Sequence, residues 1–192
     1  MKINKTAIVA LAIGLAALTT VSAQGNAQKE KAAPIVRGIG GDIPDSQVFI
    51  NYASQTEAYK LVVPEGWGMT GSGPDMKFVS KFNGVRVEVM KYAGPLSLDN
   101  VKADIVPLIE KDNRAVSVTN IGSLSRKGGD SIVVSFEANS DVNPVTNKQI
   151  RLEDKAYIFL NNGKAVILTL WAPYGADNVD QWNLISNSFR WL

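Results

Sequence analysis

One short stretch has the spacing of nucleotide chemistry. Gly66-Trp67-Gly68-Met69-Thr70-Gly71 matches G-x-G-x-x-G and follows Tyr59-Lys60-Leu61-Val62-Val63, which reads as a strand. Such a turn holds a pyrophosphate only where it opens a helix, because the helix N-terminus supplies the amides and the favourable dipole. Here Gly71 leads into Ser72-Gly73-Pro74-Asp75 and then into a second strand-like run, 76–82. The stretch is therefore expected to be a loop, with glycine allowing φ > 0 beside the bulky Trp67.

Other chemistries are thinly supplied. The chain has no histidine and no cysteine, which removes Ser-His-Asp and Cys-His catalysis, imidazole proton shuttles and the usual structural zinc sets. Ser–Lys pairs exist at Ser125/Lys127 and Ser80/Lys81, but successive strand residues point to opposite faces. The segment 122–128, Gly-Ser-Leu-Ser-Arg-Lys-Gly, does not match the G-x-S-x-G nucleophile elbow. Glycoside chemistry needs two facing carboxylates. Glu153 and Asp154 are adjacent on a strand and face opposite ways, while Asp42 and Asp45 fall in a segment expected to be flexible. A weak Ca²⁺ site at Asp42, Asp45 or Asp141 stays open, since Ca²⁺ needs only oxygens, although no EF-hand spacing exists. No cofactor is expected.

Aromatic residues are the remaining resource. Trp182 is expected in the core under a helix. Trp67 and Tyr174 sit at loop positions and Trp171 near the end of a strand. Amphipathic rings so placed can line a groove for an apolar ligand or a peptide, which makes Trp67, Trp171 and Tyr174 the candidate binding residues.

The elements that must position these side chains follow from pattern. Residues 1–23 read as a signal peptide: Lys2 and Lys5, an apolar stretch, then Val21-Ser22-Ala23 at the cleavage site. The apolar part is shorter than the ~20 residues of a membrane span, and no cysteine is present for lipid attachment. The expected location is the periplasm or the extracellular space, without a lipid anchor. Removing 23 of 192 residues leaves 169, and removing Lys2 and Lys5 leaves 18 basic against 18 acidic residues. That balance lacks the basic footprint of a nucleic-acid binder. Residues 24–45 are polar and rich in glycine and proline, a flexible lead-in, and 46–192 is expected to form a single domain.

Within the domain, Asn83-Gly84 and Asn162-Gly163 stand between alternating runs and predict hairpin turns with positive φ at both residues. A third hairpin is expected at Gly128-Gly129, and Asn143-Pro144-Val145-Thr146-Asn147 links the strands on either side of it. Leu98, Val101, Ile105, Leu108 and Ile109 recur at helical spacing after the cap residue Ser97, with Pro107 expected to kink or break the helix. A closing helix is expected from an Asp177 cap to about Arg190, with Val179, Trp182, Ile185 and Phe189 on one face. The order predicts an α+β fold: an antiparallel sheet of six to seven strands with helices packed on it.

Tyr59-Lys60-Leu61-Val62-Val63-Pro64-Glu65-Gly66-Trp67 resembles the opening strand and turn of the PsbP/Mog1-like fold family, close to the bacterial PsbP-related and DcrB-like secreted proteins. Residues 156–158 with 164–169, and Ala172-Pro173 before a final helix ending in Ser188-Phe189, resemble its later marks, so the resemblance covers about 49–192. It implies a sandwich of antiparallel sheet and helices. It also implies a non-catalytic accessory or chaperone-like role toward a protein partner or apolar segment. The lipobox cysteine of the lipoprotein members and the histidines proposed as metal ligands in photosynthetic members are missing here. Two alternatives stand beside that reading. One is a secreted hydrolase using carboxylates or a Ser–Lys pair. The other is a structural surface protein pairing through sheet edges, against which the charges Arg86, Glu88, Arg151, Glu153 and Lys155 count.

Overall fold

The computed structural model describes residues 30–56, 58–125 and 129–192. The expected signal peptide, residues 24–29 of the lead-in, Lys127 of one Ser–Lys pair and Gly128 of the third hairpin turn lie outside the described residues. The elements run β1 (Phe49–Ala53), β2 (Tyr59–Pro64), β3 (Gly68–Ser72), β4 (Asp75–Ser80), β5 (Asn83–Lys91) and α1 (Leu98–Asn100). A π-helical turn (Val101–Ile105) and α2 (Val106–Asp112) follow, then β6 (Arg114–Leu124), β7 (Ser131–Asn139), β8 (Arg151–Asn161), β9 (Lys164–Pro173), α3 (Val179–Ser188) and β10 (Arg190–Trp191). A seven-stranded sheet, ordered β3-β4-β5-β9-β8-β7-β6, packs against a three-stranded sheet, β1-β2-β10. Every strand pair is antiparallel. The α+β class read from the sequence is the class observed.

Period-two alternation sends each long strand to two different cores. Val85, Val87, Tyr157, Phe159, Leu168 and Leu170 face the small sheet and α3, meeting Tyr59, Leu61, Val63, Trp182, Ile185 and Phe189. Phe159 and Phe189 stack with centroids 4.1 Å apart. Ile132, Val134, Phe136, Ile158 and Ile167 face the other way, under Val101, Ile105 and Ile109 of the helical segment. Ile105 is fully buried there. Cutting it to alanine would cost about 3 kcal/mol of transfer and cavity energy.

Ser97 caps the helical segment as expected, its Oγ accepting the Asn100 amide at 3.2 Å. The break expected at Pro107 takes the form of the π-helical turn just before it. Pro107 then sits in the first turn of α2, where a missing amide is tolerated.

Several local expectations are corrected. Asn162 (φ 48°) and Gly163 (φ 73°) do form the β8–β9 turn, but Asn83-Gly84 belongs to β5. Ser80 pairs with Asn83, so the turn is Lys81-Phe82, with Lys81 at φ 53°. The loop expected at 66–71 is in part strand β3, paired with β4, and only Gly66, at φ 80°, serves the turn before it. The cap of α3 is Asn178 rather than Asp177, and its side chain does not cap. Asn178 Oδ1 instead accepts the Ile43 amide at 2.6 Å, and its Nδ2 donates to Gly41 O at 2.8 Å. Val179, expected on the buried face of α3, is exposed. The charged strands β5 and β8 lie inside the large sheet, and its edges are β3 and β6.

The segment expected to be flexible to residue 45 makes defined contacts from Glu30 onward. Glu30 accepts hydrogen bonds from Arg114 Nε (2.9 Å), Asn139 Nδ2 (3.1 Å) and Gln149 Nε2 (3.0 Å). The Ala33 amide donates to Asn139 Oδ1 at 2.7 Å. Ile43 is buried in the core under the small sheet, ahead of the expected boundary at 46.

Candidate functional site

The helical segment covers only part of its face of the large sheet. Where α2 ends at Asp112, that face opens into a cleft of about 430 Å³. Its walls are β4 and β5 on one side and the loop after β7 on the other, with β8 and β9 beneath.

Strand register builds its floor in two adjacent rungs. Lys77, Arg86, Thr169 and Ala156 stand opposite one another across β4, β5, β9 and β8. Two residues along, Val79, Gly84, Trp171 and Asp154 do the same. Cross-strand partners share a face, so Lys77, Arg86, Thr169, Trp171 and Asp154 converge. All five line the cleft.

Three of these side chains carry a buried polar atom that is unsatisfied. Asp154 is 5% exposed and Thr169 2%, yet Asp154 Oδ2 and Thr169 Oγ1 have no hydrogen-bond partner among the described residues. Arg86 Nε lies 3.1 Å from Glu88 Oε2, an ion pair whose angle still leaves Nε without a hydrogen bond. A buried polar group lacking a partner costs about 1–3 kcal/mol. Asp154 Oδ2 and Thr169 Oγ1, which have no such compensation, are therefore expensive, and each such exception calls for an explanation such as a bound water, an ion or a functional role.

Burial pushes the Asp154 carboxyl up to about 8, against the attraction of Arg86 and Arg151 and with repulsion from Glu153. Near neutral pH it is chiefly the acid form and can donate. Burial likewise raises Glu88, with Arg86 opposing. Lys77 Nζ stands 5.3 Å over the Trp171 ring, and Lys81 lines the same wall, with Asp112 and Asp141 also lining the cleft. The residue set can hold a small polar group by donated hydrogen bonds and an apolar group against Trp171. It contains no histidine or cysteine.

The sequence-predicted binding residues are not brought together. Trp171 lines this cleft. Tyr174 lines another, near the start of α3, beside Glu153 and Trp182. Trp67 packs half-buried against the core under the small sheet. Trp182 is buried, as expected. Glu153 and Asp154 do face apart: Glu153 Oε2 accepts the Gly175 amide at 3.1 Å. Asp42 accepts the Asp177 amide. Among the described residues no group of three or more acidic side chains could hold a metal ion. Arg86, Asp154 and Thr169 were missed as a set. A faint signal existed: Thr169 is the one hydroxyl inside Ala165-Val166-Ile167-Leu168-Thr169-Leu170-Trp171.

No family model matches the chain, and no curated protein matches it in sequence. In the course of the chain it is similar to the solution structure of cyanobacterial PsbP from Synechocystis sp. PCC 6803. The TM-score is 0.49 at 15% identity, over 79% of this chain and 98% of that one. It is similar also to a crystal structure from Bacteroides thetaiotaomicron, with TM-score 0.46 and 11% identity over 74% of this chain and 48% of that one. The chain thus spans about half the length of the second protein. Both likenesses are of fold alone. Among the described residues no helix is long and apolar enough to cross a membrane.

Proposed function

We propose that this is an exported, non-catalytic accessory protein that binds a polypeptide partner at the cleft beside Trp171. The observation that carries the reading is the pair of buried atoms Asp154 Oδ2 and Thr169 Oγ1, without a hydrogen-bond partner among the described residues, in side chains that line an open cleft. Their cost is offset only when something enters and bonds to them. The basic, apolar and small-residue layout of residues 1–23 supports export. The lack of histidine and cysteine supports a binding role over hydrolysis. Trp171 is the central contact of this reading, with Tyr174 and Trp67 as outlying ones.

The test is capture of partners from envelope and culture fractions by the exported protein, read by mass spectrometry. Trp171→Ala, Tyr174→Ala and Trp67→Ala variants of verified folding run in parallel. A partner lost with Trp171→Ala and kept by the other two is the expected result. Capture unchanged in all three would overturn the cleft as the binding site. Mass analysis of the exported chain checks cleavage after Ala23.

A second reading rests on β6. It is an outer strand of 11 residues whose only charge is Arg114, and uncharged edges invite pairing. Its two register shifts, between Arg114 and Ser117 and between Val118 and Asn120, oppose that. Concentration-dependent sedimentation would detect self-pairing, and a sharp monomer throughout would remove it.

A further inference from the structure

The chemistry of the cleft narrows what can occupy it, given that the cleft is a binding site. The wall formed by β4, β5 and the turn between them presents Lys77, Lys81 and Arg86. A guanidinium stays charged at any physiological pH and suits the two oxygens of a carboxylate. On the floor, Thr169 Oγ1 can donate, and so can Asp154 in its acid form. Arg86 stands opposite Thr169 across β5 and β9, and Asp154 stands one rung along, opposite Trp171. The three therefore line one stretch of the cleft, next to Trp171.

A cationic group fits this arrangement poorly. It would meet Arg86 and Lys77, and it would need Asp154 ionised in a buried position where that form is disfavoured. An anionic oxygen pair can accept from the Thr169 hydroxyl and the acid form of Asp154 while facing the Arg86 guanidinium. The volume of about 430 Å³ lies in the range of small-ligand sites, enough for a carboxylate and one apolar substituent.

We propose that the cleft recognises a carboxylate group, seated on Arg86, Thr169 and Asp154, with its apolar neighbour against Trp171. The same chemistry is offered by a free small organic acid and by the C-terminal carboxylate of a polypeptide. Binding to the acid form of Asp154 ties affinity to pH. The charged groups around it are Arg86 on β5, Lys77 on β4, Lys81 in the turn between them, Arg151 and Glu153 on its own strand, and Asp112 and Asp141 lining the cleft. As pH rises through about 8, Asp154 ionises and repels the ligand, so affinity falls.

The experiment is nuclear magnetic resonance titration of the ¹⁵N-labelled exported protein with matched pairs of probes. Benzoate is compared with benzamide, and short peptides ending in leucine with their C-terminal amides. Benzylamine serves as the cationic control. The acids are expected to shift the Trp171 indole and the amides of Arg86, Asp154 and Thr169, while the neutral partners leave them in place. Arg86→Met and Thr169→Val should each weaken acid binding about tenfold, with Thr169→Val melting no lower than wild type. Affinity should drop about tenfold between about pH 6 and about pH 9. Free-ended peptides binding more tightly than benzoate would assign the ligand to a chain terminus, and the reverse to a small acid. Equal binding of acids and amides, preference for benzylamine, or no shift at tens of millimolar acid would overturn the proposal. Should acids fail while Trp171→Ala still abolishes partner capture, the carboxylate chemistry falls and the binding role stands. Should acids bind while partner capture ignores Trp171, the partner falls and the site stands.

Discussion

Gly84 and Trp171 face each other across β5 and β9, and a Cβ at position 84 would land on the six-membered edge of the indole, at Cζ2, Cη2 and Cε2. Gly84 is thus required by close approach, not by a turn. The absent side chain is what lets the Trp171 ring approach β5 where it lines the cleft.

Gly84→Ala is expected to destabilise the protein by about 3 kcal/mol, because the displaced ring belongs to a packed sheet face. The double variant Gly84→Ala/Trp171→Ala should lose clearly less than the sum of the two single changes. Urea denaturation of the four proteins measures the coupling. Additive losses would place the two residues out of contact.

Thr169→Val removes a buried hydroxyl without a partner and keeps the side-chain shape. The expected effect is a gain of about 1 kcal/mol, raising the melting temperature by about 3 °C for a chain of this size. A lower melting temperature would mean that the hydroxyl is bonded in solution.

Asp154 sets a pH dependence. Its carboxyl is raised from 3.8 to about 8 in the folded protein, so the folded state binds more protons than the unfolded one between those values. Stability contributed this way is complete below about pH 4 and is lost as pH rises through about 8. Asp154→Asn should flatten the stability profile across that window. Denaturant midpoints at a series of pH values decide it, and an unchanged slope would show that Asp154 titrates normally.

Glu30 has the opposite sign. Hydrogen bonds from Arg114 first, then from Asn139 and Gln149, hold its carboxyl down to about 2. The docking it contributes is present above about pH 4.5 and is lost as pH falls toward 2. Glu30→Gln should loosen the lead-in, so that limited proteolysis at Lys31 and Arg37 becomes severalfold faster. Cleavage at the wild-type rate would mean that Glu30 does not hold the segment.

Much of the fold was legible because its signals are local. Asn162-Gly163 makes a turn since both residues tolerate positive φ, Ser97 caps since its hydroxyl reaches an amide three residues on, and valines at alternate positions in β5 face one core. Each rule acts within a few residues, so the amino-acid order by itself determined the Asn162-Gly163 hairpin, the two helical segments and the α+β class.

The cleft depends on partners distant in the chain. Arg86, Asp154 and Thr169 sit on β5, β8 and β9, and β9 lies between the other two in the sheet. Nothing local distinguishes a polar residue facing water from one facing a cleft that a helix stops short of covering. The same reason explains Asn83-Gly84, a good turn pair that the tertiary structure used instead to admit the Trp171 ring. It also explains the lead-in, where Glu30 is anchored by Arg114, Asn139 and Gln149, which lie 84, 109 and 119 residues further along the chain. Local propensity is set residue by residue, whereas burial is a property of whatever covers a face, and only the assembled layers decide that.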